Sequence, residues 1–216
     1  MLLNDAQIMQ AMLMIIDMFP EAQPSLFADS DFQYLIAVML SAQTTDRAVN
    51  QVTPKLFAVY PTPQKLAQAT IEQVEHLIKS LGLYHNKARN LIKCSNQLLT
   101  NFAGQVPATK QQLVTLAGVG TKTANVVLGD RFGVPSFAVD THVSKISKRL
   151  HFVDEKATVE QIEKSVTKAL DPKYWVIGHH ALIDLGRKYN FKNATQIANL
   201  PVVRQCDQWS GLNEKK

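Results

Sequence analysis

The sequence predicts an all-α protein. Helix-start signals recur along the chain, apolar residues between them repeat at helical spacing, and no stretch alternates apolar and polar residues as a half-buried strand would. The helical segments are joined by short connectors, SAQTTD, YPTPQ, LGLYHNK, GQVPATK, RFGVPSF and LDPKYW, as a compact helical protein requires. The chain has no internal repeat, low-complexity tract or long linker, and composition by itself marks no domain boundary.

The first element is read from MLLNDAQIMQAMLMIIDMF. It has the apolar character of a signal peptide but lacks a basic start and a small-residue cleavage site, and Asp5, Gln7 and Gln10 interrupt it. Ile8, Met12, Ile15 and Phe19 fall on one helical face, which predicts an amphipathic helix packed on the body of the protein. Thr62-Pro63 reads as an N-cap followed by proline at the first helical position. Thr70 with Gln73, Thr109 with Gln112, and Thr158 with Gln161 have the capping-box spacing. After the last of these, Val159, Ile162, Val166 and Leu170 supply an apolar stripe. From about residue 189 the chain, YNFKNATQIANLPVVRQCDQWSGLNEKK, reads as polar and irregular with scattered apolar residues.

With 216 residues the chain can bury a substantial core, as one large domain or two small ones. Lys and Arg outnumber Asp and Glu by 23 to 18; a net charge of +5 permits a polyanionic partner without demanding one. Two cysteines, Cys94 and Cys206, are too few for a disulfide framework or a four-thiolate metal site, and a reducing cytoplasm is the simplest compartment. Cys94 reads as an inert helix residue. No run of 18 apolar residues exists, so a membrane span is not expected.

The stretch QQLVTLAGVGTKTANVVLGDRF reads as helix, Gly-x-Gly turn, helix, with Leu113 and Leu116 apolar on one arm and Val126, Val127 and Phe132 on the other. Gly118 and Gly120 permit positive φ and remove side chains that would keep a ligand off the backbone. Free N–H groups leading into a helix N-terminus favour an anion, and a DNA phosphate fits without conveying base sequence. The same residues also suit an ordinary tight turn between two helices. Lys122 then stands in the first turn of the second helix, where the macrodipole opposes a cation by roughly 0.3–1 kcal/mol at an exposed site. A lysine kept there is either an anchor for phosphate or an amine that burial and the helix end hold ready for nucleophilic attack and a Schiff base.

Eighteen residues on, in SFAVDTHVSKISKRL, Asp140 follows an apolar run and precedes a helical pattern. It reads as an N-cap. Capping uses one carboxylate oxygen and leaves the other to stabilise positive charge on a sugar or to help deprotonate a nucleophile. Lys145, Lys148 and Arg149 make the following helix basic, on a solvated or a phosphate-facing side.

LAGVGTKTANVVLGDRFGVPSFAVDTHV resembles the helix-hairpin-helix and Gly/Pro-Asp signature of a family of DNA glycosylases. LIAVMLSAQTTDRAVN, LGLYHNKARNL and HHALIDLGR match the family's pattern in the same order, so the resemblance runs from about residue 5 to residue 188. It implies two helical lobes with a DNA-binding cleft between them. One is a six-helix barrel over residues 22–133 ending in the hairpin; the other is discontinuous, from residues 1–21 and 134–216. By the same resemblance Lys122 is the nucleophile and Asp140 the essential carboxylate, meeting at the mouth of the cleft. Gly118, Val119 and Gly120 would grip a phosphate with their backbone, with a bound monovalent cation. Gln43 and Leu83 would fill the hole left by an extruded nucleotide, and His142 and Lys145 would face DNA. The implied partner is double-stranded DNA carrying damaged bases or abasic sites, bound by a monomer with no membrane association, in the cytoplasm at the nucleoid.

The chain departs from the family pattern twice. Ala117 stands where the hairpin usually carries proline, which removes some rigidity. The iron–sulfur branch of the family ends with four cysteines spaced C-x6-C-x2-C-x5-C, and aligning that pattern to end at Cys206 puts Asn190, Ile197 and Leu200 in the other places. A cluster held by four thiolates is therefore expected to be absent, as is any catalytic metal or redox cofactor. Ile197, Leu200 and Trp209, with Val202 and Val203, are expected to form an apolar plug in its stead. The implied activity is a bifunctional glycosylase and abasic-site β-lyase that removes oxidised pyrimidines in base-excision repair. The alternatives are a monofunctional mismatch or adenine glycosylase, which would use water rather than the Lys122 amine, and a non-catalytic DNA-damage-binding protein.

Overall fold

The computed structural model describes residues 1–191 and 193–211; among them there is no β-strand. The chain divides into two compact units, Met1–Pro24 with Pro135–Lys216, and Ser25–Val134. The first helix, α1 (Asp5–Met18), opens with a reciprocal capping box in which the Asn4 side chain accepts from the Gln7 amide and the Gln7 side chain accepts from the Asn4 amide. Ile8, Met12 and Ile15 are buried, and Phe19, at the C-cap, packs half-buried against the same core.

The Ser25–Val134 unit then contributes α2 (Asp31–Leu40), α3 (Asp46–Val59), α4 (Pro63–Ala67), α5 (Ile71–Ile78), α6 (Tyr84–Phe102), α7 (Lys110–Leu113) and α8 (Thr121–Phe132). Of these α2 is apolar on every side, and all its residues from Phe32 to Leu40 are buried. A helix buried all round is the centre of its unit; α3, α6 and α8 pack on it. Thr62 with Pro63 caps α4, and the Thr70–Gln73 box on α5 is reciprocal. The Thr109–Gln112 box is incomplete. Thr109 caps the Gln112 amide, but the Gln112 side chain accepts from the Thr109 hydroxyl rather than from its amide, and α7 has only four residues.

Returning to the first unit, the chain forms α9 (Thr141–Arg149), α10 (Val159–Ala169), a 3-10 turn (Pro172–Tyr174), α11 (Trp175–Lys188), α12 (Ala194–Ile197) and α13 (Pro201–Trp209). The Thr158–Gln161 box on α10 is complete, and Ile162, Val166 and Leu170 are buried, but Val159 is exposed. The last of these elements corrects the irregular segment expected beyond residue 189. Pro201 starts a helix, and Val202, Val203 and Cys206 bury one side of it against α1. Ile197 and Leu200 join that core, and Trp209 packs partly buried on it. Fully burying an apolar side chain contributes roughly 1.5–3 kcal/mol, enough for a few such residues to hold two short helices. Arg149 of α9 is bound to Asp207 of α13 at 2.7 and 2.9 Å, so it is not among the residues available to a phosphate.

Candidate active site

The hairpin between α7 and α8 is built around two glycines with different duties. Gly118 has φ +78, and a Cβ there would lie 2.9 Å from Asn90 Cβ and 3.1 Å from Met39 Cε. It is a glycine for both conformation and space. Gly120 was expected to share the positive φ; it has φ −96 and ψ 179, extended backbone open to any residue, and nothing lies within 4 Å of a Cβ placed there. What Gly120 supplies is open space and an N-cap without a side chain. Val119, the third expected phosphate contact, is buried and its amide already donates to the Leu116 carbonyl at 3.1 Å, so it anchors the turn from below. The first intrahelical bond of α8 runs from Ala124 to the Gly120 carbonyl. The amides of Gly120, Thr121, Lys122 and Thr123 have no acceptor among the described residues, which leaves the positive end of a twelve-residue helix uncapped.

Ala117 makes use of an atom that proline lacks. Its amide donates to Gln97 Oε1 at 2.7 Å, while Gln97 Nε2 donates to the Thr115 carbonyl at 3.1 Å. One side-chain amide on α6 thus holds the hairpin at two points.

Lys122 stands in the first turn of α8 and is exposed. The burial expected around its amine is not supplied by the chain itself. Asp140 caps α9 as expected: its Oδ1 accepts from the Val143 amide at 2.8 Å. Its second oxygen has no hydrogen-bond partner among the described residues and is available for chemistry. The segment leading to it, Phe137, Ala138 and Val139, is buried, and His179 of α11 meets the Ala138 carbonyl through Nδ1 at 2.9 Å. Lys122 belongs to the Ser25–Val134 unit and Asp140 to the other.

Gln43 and Leu83 are both exposed, and both hold a left-handed backbone, with φ 53 and φ 60. Non-glycine residues pay for that conformation with roughly 1–2 kcal/mol, so each is fixed by its surroundings. Lys145 is exposed on α9, and His142 is half-buried with its ring against α11. A Cβ on Gly186 would fall 2.4 Å from His142 Nδ1 and 2.9 Å from its Cβ. Gly186 of the HHALIDLGR motif is therefore what lets the imidazole lie on the helix. The motif was visible in the sequence; its contact with His142 was not, since it joins positions 44 apart in the chain.

The two cysteines do not fit a four-thiolate cluster. Cys94 lies in the core of the Ser25–Val134 unit and Cys206 in the core of the other, each with its thiol pushed up to about 12 by burial. Thiols so desolvated are poor metal ligands, and the positions that would complete the donor set hold Asn190, Ile197 and Leu200.

A glycine hairpin feeding an exposed lysine at an uncapped helix N-terminus, followed by a helix-capping aspartate, is the arrangement that the helix-hairpin-helix, Gly/Pro-Asp resemblance of the sequence leads one to expect. The family described as "HhH-GPD superfamily base excision DNA repair protein" matches residues 36–172. Endonuclease III of Bacillus subtilis (strain 168) is 40% identical over 214 residues, covering 99% of this chain and 98% of that one. Two solved structures are similar at 40% identity. A non-covalent endonuclease III–DNA complex has a TM-score of 0.91 and covers 99% of this chain and 100% of that one. A trapped endonuclease III–DNA covalent intermediate, an estranged-adenine complex, has a TM-score of 0.90 and covers 98% and 99%. The chain belongs to the endonuclease III family within the HhH-GPD superfamily. No helix among the described residues is long and apolar enough to cross a membrane.

Proposed function

We propose that this protein removes oxidised pyrimidine bases from duplex DNA and then cuts the strand at the resulting abasic site, through a Schiff base on Lys122. Glycosylase and lyase activity in base-excision repair is the chemistry of the family to which the chain belongs. The observation that carries the assignment of the nucleophile is the exposed amine of Lys122 in the first turn of a helix whose N-terminal amides are unoccupied. A phosphate held by the Gly118–Gly120 hairpin, with a monovalent cation completing the grip, would place deoxyribose beside that amine.

In this reading the damaged nucleotide swings out of the helix while Gln43 and Leu83 enter the gap, and extrusion costs least for a poorly stacked base. His142 and Lys145 add contacts to the DNA. The Lys122 nitrogen attacks C1′ as the bond from C1′ to the base breaks, and the departing base takes up a proton. The free oxygen of Asp140 stabilises the positive charge that grows on the sugar and accepts a proton from the amine. Opening of the sugar ring gives an iminium, which makes the C2′ proton acidic; its loss expels the 3′ phosphate by β-elimination. A chromosomal substrate places the monomeric protein in the cytoplasm, at the nucleoid. The segment from Ile197 to Trp209 holds together by apolar packing without an iron–sulfur cluster, and stoichiometric iron in purified protein would refute that part.

Borohydride reduction tests the mechanism, because it fixes a Schiff base as a protein–DNA adduct. Wild type incubated with a thymine glycol duplex should give base release, strand cleavage and the adduct, and Lys122→Ala should give no adduct. A wild type that forms none, or a Lys122→Ala variant that forms as much, would return the choice to a water-using glycosylase. Binding of damaged DNA with no turnover would mark a non-catalytic protein.

A further inference from the structure

Between the turns that carry Gln43 and Leu83 lies a lysine whose side chain is not at the surface. Lys87, in the first turn of α6, is 7% exposed, and its ammonium donates to the hydroxyl of Thr44 at 2.7 Å. Its backbone amide donates to the carbonyl of Leu83 at 3.0 Å. One residue therefore bonds to Leu83 through its main chain and to the neighbour of Gln43 through its side chain. The Thr44 hydroxyl has its own proton to give, and it donates to the Ala42 carbonyl at 3.3 Å, on the far side of Gln43. The Thr44 amide closes the turn by donating to Ser41. The chain of bonds runs from Leu83 through Lys87 and Thr44 to Ala42, and encloses Gln43.

We infer that Lys87 is a positioning residue for nucleotide extrusion, fixing the spacing and the strained backbones of Gln43 and Leu83 so that both enter the duplex together. The inference rests on the proposed insertion of those two side chains. A buried ammonium is costly, and desolvation pulls its pKa below the ordinary lysine value; no carboxylate pairs with it among the described residues. A methionine would fill the same volume without that cost. Fold alone gives no reason for the charge, whereas a charged donor, fixed at one end by the helix and at the other by Thr44, resists the separation of the two turns when DNA pushes on them. Left-handed non-glycine residues persist only where neighbours over-determine them, and here the same lysine serves both.

The test separates extrusion from chemistry. A duplex with 2-aminopurine opposite a reduced abasic site reports insertion as a fluorescence change on binding, with no bond broken. Lys87→Met and Thr44→Val each remove the bond between the turns while conserving shape. Each should lower the fluorescence-detected insertion constant by on the order of tenfold, the effect of one hydrogen bond to a charged group, and the double variant should lose no more than either single. Borohydride trapping on an abasic site in single-stranded DNA, where no gap needs filling, should stay within about twofold of wild type, and Lys87→Arg should recover part of the insertion signal. Full insertion by both variants overturns the inference, as do additive losses or an equal loss on single strands. If Lys87→Met fails to fold, Thr44→Val decides alone. The fluorescence arm involves no Schiff base, so a wild type that inserts but forms no adduct counts against the lyase mechanism alone, and the variants still decide the positioning role. A wild type that does not insert overturns the inference together with the wedge reading it rests on.

Discussion

Arg149 and Asp207 face each other as a two-pronged ion pair, at 2.7 and 2.9 Å, and join the end of α9 to α13. Both side chains are mostly covered, 26% and 19% exposed. The helix that Asp207 stands on has no side-chain cap at its N-terminus, and apolar burial at Val202, Val203 and Cys206 together with this pair helps to hold it. Asp207→Ala should destabilise the protein by about 1–3 kcal/mol, between the values for exposed and fully buried pairs. Differential scanning calorimetry should show the melting temperature falling by roughly 2–4 °C per kcal/mol. Because the pair sits at the opposite end of α9 from the Asp140 cap and makes no bond to Lys122 or Asp140, borohydride trapping below the transition should be unchanged.

The same cluster sets a dependence on acid. Burial pushes the Asp207 carboxyl up, but hydrogen bonds and charge from Arg149, with His151 adding to them, outweigh it and leave the group below its ordinary value. His151, with Nε2 3.5 Å from Asp207, is held below the usual imidazole value by burial first; Asp207 opposes that, and Arg149 and the N-terminal ammonium add to it. Both groups bind protons more weakly folded than unfolded, so both favour folding at higher pH. The His151 contribution is complete above about pH 6.5 and is lost as pH falls below it; that of Asp207 is complete above about pH 3.9 and is lost as pH falls through its lower folded value. Melting temperatures measured from pH 8 to pH 3 should decline, and His151→Gln should flatten the upper part of the decline. A stability that rises between pH 6.5 and pH 5 in wild type, without that substitution's influence, would contradict this assignment.

The helices were legible because capping and periodicity are local. Thr70–Gln73 and Thr158–Gln161 announced their helices within four residues, and the turn at Gly118, the helix start before Lys122 and the Asp140 cap were equally legible as local structure. Helix α13 was legible too and was missed, since Pro201 followed by Val202, Val203 and Cys206 is a helical signal obscured by the polar residues between. Gln97, Lys87, Gly186 and Asp207 left no local signal. Each acts on a partner 20 or more positions away, and only the packing of helices decides which partner that is. The burial of Lys122 failed as an expectation for a related reason: first-turn position can be read from sequence, exposure cannot.

Gly118 and Gly120 should separate stability from DNA binding. Gly118→Ala forces a side chain into φ +78 and against Asn90 Cβ, a carbon close to the α6 backbone that has little room to yield. A loss of about 1–3 kcal/mol in urea unfolding is expected. Gly120→Ala meets no atom and keeps an ordinary φ, so stability should change by only a few tenths of a kcal/mol to about 1 kcal/mol. Its cost should appear instead in affinity for abasic duplex, by on the order of tenfold, as the methyl group keeps a phosphate from the α8 amides. Fluorescence anisotropy with a labelled duplex measures it. Equal affinity for Gly120→Ala would remove that face of the hairpin from the DNA contact.

Gly186 should matter through His142. Alanine is the better helix former by about 1 kcal/mol, so a glycine inside α11 needs a packing reason. A methyl group at 186 cannot coexist with His142 where it now lies, 2.4 Å from Nδ1 and 2.9 Å from Cβ, so the ring must turn away and the two helices must also give by a few tenths of an ångström. Gly186→Ala and His142→Gly should each weaken DNA binding, and the double variant should bind about as well as His142→Gly alone, since the methyl group at 186 then meets neither ring nor Cβ. Additive losses would assign Gly186 a role independent of His142.

Proline at 117 provides a sharper test than alanine at any hairpin glycine. Here the residue stands where the family usually has proline, and proline normally stiffens a turn by restricting the unfolded chain. In this chain the Ala117 amide is bonded to Gln97 Oε1, and proline would delete that donor and leave Gln97 holding the hairpin only through Thr115. The two effects have opposite signs: restriction of the unfolded chain stabilises by about 0.4–1 kcal/mol, and a lost hydrogen bond destabilises by about 0.5–1.5 kcal/mol. Ala117→Pro in wild type should therefore gain nothing or lose slightly. In a Gln97→Ala background, where no bond remains to be lost, the same substitution should stabilise by about 0.4–1 kcal/mol. Chemical denaturation of the four proteins in this cycle measures the coupling, and its absence would mean that the Gln97 clamp does not substitute for the rigidity of proline.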